Sequence, residues 1–113
     1  MQRTKVDWLA GRTLAMPDAV VPRLAPMFGV EGQWLNMSLR GSGWMGYASS
    51  ADLRVANMNA GMVAWGGDHQ RGWLHVSLSG RGCDWVRDWD VAQECLEGLP
   101  SWEPRRVDIA LDT

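Results

Sequence analysis

The sequence predicts an α+β fold, a two-layer sandwich with a mostly antiparallel sheet and two helices on one of its faces. Short stretches of apolar–polar alternation recur along the chain, as half-buried strands require. Two other stretches repeat their apolar residues at helical spacing. Glycine-rich turns separate these segments, and the order read along the chain is β-α-β-β-β-β-α-β.

Each element has its own signal. Lys5 to Thr13 opens with alternation, Val6 and Trp8 pointing one way and Asp7 the other. From Pro17 to Phe28, Val20, Val21, Leu24, Met27 and Phe28 share a helical face. Pro22 and Pro26 predict a short or kinked helix there, because an interior proline removes a donor and clashes with the preceding turn. Pro22 is tolerated only if it lies in the first turn, and Gly29 is expected at the C-terminal stop. Gln33 to Arg40 alternates, with Leu35, Met37 and Leu39 on one face and Trp34, Asn36, Ser38 and Arg40 on the other. After the Gly41-Ser42-Gly43 turn, Trp44 to Ser49 reads as a short strand, and Ser50 to Asn59 is compatible with strand or loop. Met62 to Trp65 is a compact apolar strand ended by Gly66-Gly67-Asp68, a hairpin signal. Gly72 to Ser79 alternates most cleanly, with Leu74, Val76 and Leu78 opposite Trp73, His75, Ser77 and Ser79. Asp84 is the expected cap of one long helix whose face carries Trp85, Trp89, Ala92, Leu96 and Leu99, closed by Gly98 and Pro100. Arg105 to Asp112 is the last strand, with Val107, Ile109 and Leu111 on one side and Asp108, Ala110 and Asp112 on the other.

At 113 residues the chain reads as a single domain, 1–113. Apolar residues make up 46 % of it, enough for a core and against disorder. No apolar run approaches the roughly 20 residues that span a bilayer, and a charged start without a cleavage site argues against a signal peptide. A cytoplasmic protein with no membrane partner is expected. Cys83 and Cys95, placed on the one expected helix, lie more than roughly 15 Å apart, so buried free thiols are expected rather than a disulfide. The net charge of −2 is unlike the strongly basic footprint of many nucleic-acid binders, so DNA contact rests on local arginines. Eight tryptophans supply core, interface or base-stacking surface.

The succession W-M-G-Y (Trp44 to Tyr47), V-A-W-G-G (Val63 to Gly67), L-H-V-S-L-S-G-R-G-C (Leu74 to Cys83) and R-V-D-I-A-L-D (Arg106 to Asp112) resembles the replication initiation factor family. Those proteins start rolling-circle replication in filamentous phages and some plasmids. The opening K-V-D-W-L fits as well, so the likeness runs in order through nearly the whole chain. It implies a nickase dependent on a divalent cation, Mg or Mn, in which a tyrosine hydroxyl attacks a phosphodiester. It also implies that this chain corresponds to an N-terminal half, with the nucleophilic tyrosine in a missing C-terminal half and no catalytic residue assigned here.

Candidate metal ligands are Asp108, Asp112 and His75, a weighting that comes mainly from the resemblance. Asp108 and Asp112 share a strand face roughly 13 Å apart, too far for both to hold one ion unaided. Their bland reading is a solvated sheet face, and that of His75 is cross-strand packing. Tyr47 is the only tyrosine, and its place beside Gly46 looks structural. The DNA-contact candidates are Arg40, Trp44, Arg54, Trp73, Arg81, Arg105 and Arg106, with Trp34 on a polar face beside them.

Two functions follow. In the first, the chain is the N-terminal domain of a replication initiator and contributes to origin or single-stranded DNA binding, with an acidic metal site, and is inactive in cleavage alone. In the second, it is a stand-alone phage or prophage protein without catalysis that regulates replication or inhibits a host or defence protein by contact. Partners are accordingly DNA, the missing half, a second copy or a host protein.

Overall fold

The computed structural model describes residues 3–29 and 34–112, with side chains from 5 to 29 and from 34 to 110. Its elements are β1 (Arg3–Thr13), α1 (Pro17–Leu24), a 3-10 turn (Ala25–Phe28), β2 (Leu35–Leu39), β3 (Ser49–Val55), β4 (Met58–Trp65), β5 (Leu74–Leu78), α2 (Gly80–Asp84), α3 (Trp89–Glu97) and β6 (Glu103–Asp112). The strands form one six-stranded sheet in the order β2-β3-β4-β5-β1-β6, each neighbouring pair antiparallel. The expected α+β architecture holds. The meander β2 to β5 alternates direction, and β1 inserts between β5 and β6, so the connection carrying α2 and α3 crosses over β1.

The core lies between the sheet and α1, the 3-10 turn and α3. Leu35, Leu53, Val63, Leu74, Val76 and Leu78 meet Val20, Leu24, Met27, Phe28 and Leu96 there, all nearly inaccessible. Strand alternation produces this directly, since every second side chain faces the helices. Pro22 lies inside α1 instead of in its first turn, and the helix is correspondingly short. The chain tightens into the 3-10 turn, which Gly29 ends in the left-handed region.

The single long helix expected after β5 is two. Ser79 caps α2 by accepting from the Gly82 amide at 3.2 Å, and Asp88 caps α3 by accepting from Asp90 and Val91. Between them the Arg87 amide donates to the Met27 carbonyl of the 3-10 turn at 3.0 Å, which takes it out of any helix. Asp84 is therefore the last residue of α2 and not a cap. Trp85 and Trp89 do not share a helix, and Trp89 is 37 % exposed. Cys83 and Cys95 also fall on different helices, so the separation inferred from one helix does not apply. Both are nonetheless free, Cys83 buried and Cys95 partly so. Burial, with Asp84 and Asp7 nearby, pushes the Cys83 thiol up to about 11.

Two hairpins differ from the sequence expectation. Trp44 to Ser49 is not a strand: Trp44 and Tyr47 form an isolated bridge around Met45 and Gly46, both at positive φ. Ser50 to Asn59 resolves into most of β3, a turn and the start of β4, with Ala56 and Asn57 at positive φ in the turn. Gln33, the expected start of the next strand, lies outside the described residues.

Candidate nucleic-acid interface

The face of the sheet away from the helices is where the polar residues of each strand converge. Register places Ser38 of β2 beside Asp52, Asp52 beside Met62, Met62 beside Ser77, Ser77 beside Ala10 and Ala10 beside Arg106. The next row runs Ser50, Ala64, His75, Arg12 and Glu103. Small side chains dominate the middle, so this face is hollow at its centre. A cavity of about 490 Å3 lies there, floored by Ala10, Gly61 and Ser77 and walled by Trp8, Trp44 and His75.

Local backbone geometry sets each wall. Trp44 and Tyr47 exchange backbone hydrogen bonds at 3.1 and 2.8 Å around a two-residue turn with φ of 48° at Met45 and 88° at Gly46. Glycine relieves the strain at the second position, and the turn presents both rings on one side. Trp44 stacks on His75 with centroids 4.7 Å apart, and Tyr47 lies 6.2 Å from the same imidazole. Gln70 ties the connection between β4 and β5 to this turn by donating to the Gly46 carbonyl at 3.1 Å.

On the opposite side, two irregularities in the β1–β6 pairing aim the charges. Between Ala10 and Gly11 the register slips, so Arg105 has no partner across β1, and both Arg105 and Arg106 line the cavity. Arg106 stacks 5.3 Å above Trp8 and grips Asp108 through Nε and Nη2. Glu103 accepts from Arg12 at 3.1 Å and pairs with Arg105 at 3.4 Å, while Arg12 lies 3.9 Å over the Trp73 ring. Arg40 pairs with Asp52 at 3.8 Å at the far end of the face. The guanidinium groups around the cavity are thus held by carboxylates, which explains how an acidic chain carries this many arginines on one surface.

The same contacts set the titration behaviour. Arg106 holds the Asp108 carboxyl below the usual carboxylate range, and Asp108 raises Arg106 in return. Burial lowers His75 from its ordinary value of 6.5 and favours the neutral imidazole. The unfolded chain therefore takes up this proton first as the pH falls. Stability is full above about pH 6.5 and declines below it, down to the folded-state value. Urea unfolding between pH 7.5 and 5.5 is expected to show that decline, and His75→Phe, which keeps a ring against Trp44, removes it. A His75→Phe profile parallel to wild type would place the pH sensitivity elsewhere.

The expected metal ligands do not come together. His75 is on β5 opposite Arg12, and Asp108 is on β6 opposite Trp8, so β1 separates them. That is on the order of 13 Å along the strands and 10 Å across them. Asp108 also has its oxygens occupied by Arg106. The Asp112 side chain lies outside the described residues. Among the described residues, no group of histidine, cysteine, aspartate and glutamate side chains is arranged to hold an ion. The described residues therefore do not fit the divalent cation implied by the resemblance.

The DNA-contact candidates divide. Trp44, Arg105 and Arg106 line the cavity, Arg40 reaches it through Asp52, Trp73 lies outside it against Arg12, and Arg54 lies on the same face, donating to the Asn57 carbonyl. Arg81 is exposed on α2, outside the cavity. Trp34 is 54 % exposed immediately before β2, where its carbonyl accepts the Ala56 amide at 3.0 Å. Sequence reading missed Trp8 and Asp52 as members of this site. Alternation placed Trp8 on the face of Val6, but the bulge at Asp7 turns it to the other face.

The fold has a solved counterpart. The structure of the rolling-circle replication initiator protein from Geobacillus stearothermophilus superposes on this chain with a TM-score of 0.65 at 20 % sequence identity. The match covers 98 % of this chain and 44 % of that one, so the chain spans less than half the length of the initiator it resembles. The likeness is one of fold. No family model matches the sequence, and no curated protein matches it. Among the described residues, no helix is long and apolar enough to cross a membrane.

Proposed function

We propose that this chain is the N-terminal, DNA-binding portion of a rolling-circle replication initiator of phage, prophage or plasmid origin, working in the cytoplasm. The observation that carries the proposal is the hollow, aromatic-walled face of a sheet whose fold a replication initiator shares. Trp8 and Trp44 offer stacking surfaces for unpaired bases, and Arg105 and Arg106 stand where a phosphate chain would pass. Double-stranded DNA hides its base faces, so single-stranded DNA is the ligand this surface suits. Strand cleavage is not assigned to this chain, because His75 and Asp108 do not converge and no ligand set for Mg or Mn is arranged among the described residues.

Fluorescence anisotropy with a labelled single-stranded oligonucleotide over a salt series tests the reading. Micromolar binding is expected, weakened on the order of tenfold by Trp44→Ala. Ion pairing of the arginines predicts a shallow salt dependence. Engagement of about 2 phosphates, at about −0.7 per phosphate, corresponds to a slope of about −1.4 in log K against log salt. No binding at low salt would exclude DNA as a ligand of this chain alone.

One observation favours the non-catalytic protein-contact reading. On the helix side, edge strand β6 leaves Val107 49 % and Ile109 59 % exposed beside a groove lined by Trp89, Leu96 and Trp102. A C-terminal half, a second copy or a host protein would cover such a strip, and absence of DNA binding would turn attention to it.

A further inference from the structure

The cavity on the open sheet face has different chemistry at its two ends, and this polarity deepens the DNA-binding reading on which it rests. Register carries the row Asp52, Met62, Ser77, Ala10, Arg106 straight across five strands. At about 4.8 Å per strand, Asp52 and Arg106 stand roughly 19 Å apart across the sheet. The Arg106 end is cationic and is joined by Arg105. The Asp52 end holds a carboxylate and the Asn59 amide, both lining the cavity. Aromatic rings of Trp8 and Trp44 wall the space between, and its floor is small and flat.

We propose that this cavity takes one nucleotide of a single strand lying across the strands, with a guanine base toward Asp52 and its phosphate toward Arg105 and Arg106. A carboxylate only accepts hydrogen bonds. It therefore selects a base edge that presents donors, and guanine alone offers two adjacent ones, the ring N–H and the exocyclic amino group. Thymine offers a single ring N–H, and adenine and cytosine each offer an amino group next to an acceptor, which would face a carboxylate oxygen. Arg40 sits 3.8 Å from Asp52 on the side of β2 and orients its carboxylate. Asn59 supplies an amide that suits the remaining carbonyl of the base.

Two labelled oligonucleotides test this by anisotropy, a thymine 15-mer and the same strand with one central guanine. The guanine strand is expected to bind on the order of tenfold tighter, the discrimination of one good bidentate pair. Asp52→Asn replaces one acceptor oxygen by a donor and is expected to bring the ratio of the two affinities to about 1, with circular dichroism confirming its fold. Asn59→Ala is expected to lower the same ratio. Equal binding of both strands by the wild-type chain would overturn guanine recognition while leaving DNA binding intact. An unchanged ratio in well-folded Asp52→Asn would also overturn it. Binding of neither strand would remove the DNA reading itself. Guanosine monophosphate competing as strongly as the guanine strand would make the ligand a free nucleotide and overturn the placement of a strand.

Discussion

Replacing Phe28 by alanine is expected to lower the stability of this protein by about 3–5 kcal/mol, the range for truncating a buried aromatic ring. Phe28 is 1 % exposed and ends the 3-10 turn that follows α1. Its neighbours cannot close in on the space it would leave. Gly29 holds the left-handed conformation just after it, and the Met27 carbonyl is tied to the Arg87 amide at 3.0 Å, so the turn is fastened on both sides. A domain of this size has about 5–15 kcal/mol of stability in total, so the loss is a large fraction of it. Urea unfolding followed by tryptophan fluorescence measures it. A loss below about 1 kcal/mol would mean that the 3-10 turn does not close the core as described.

Gly82→Ala is expected to destabilise by about 2–3 kcal/mol, the upper range for overpacking. This reverses the usual sign, because alanine normally favours a helix over glycine by about 1 kcal/mol. The reversal has a geometric cause. A Cβ on Gly82 would overlap the backbone carbonyl of Ala60 on β4. That same carbonyl accepts the Ser79 amide at 3.1 Å, so relief by moving α2 would break the anchor of the helix. Ser79 also lines the cavity, so its geometry would change with the helix. Gly41→Ala is the control, since a Cβ there meets nothing within 4 Å, and it should be close to neutral in the same unfolding assay. A neutral or stabilising Gly82→Ala would show that α2 does not lie this close to β4.

Much of the fold was legible because strand alternation is a local signal. Leu74, Val76 and Leu78 face the core as their pattern predicts, with His75 and Ser77 on the other side. The places where the reading failed are those where a contact distant in sequence overrides a local preference. The β3–β4 turn uses Ala56 and Asn57, which carry no Asn-Gly signature, and only pairing with β4 holds them at positive φ. The helix after β5 looked continuous because Trp85, Trp89 and Ala92 keep helical spacing, yet Arg87 donates to Met27 and Asp88 starts a new helix.

Of the candidate site, the sequence by itself determined which residue types lie on the polar faces of the strands, because alternation needs no partner. Trp73, His75 and Ser77 were found in that way. Only the tertiary structure decided which of them meet. His75 and Asp108 were each candidate metal ligands, but β1 passes between their strands, so strand order keeps them apart. Register across strands far apart in sequence puts Asp52 and Arg106 in one row, and Trp8 and Trp44 line the same cavity. Alternation assigns a side chain to a face. Its neighbours on that face come from hydrogen bonds between strands, which no single segment contains.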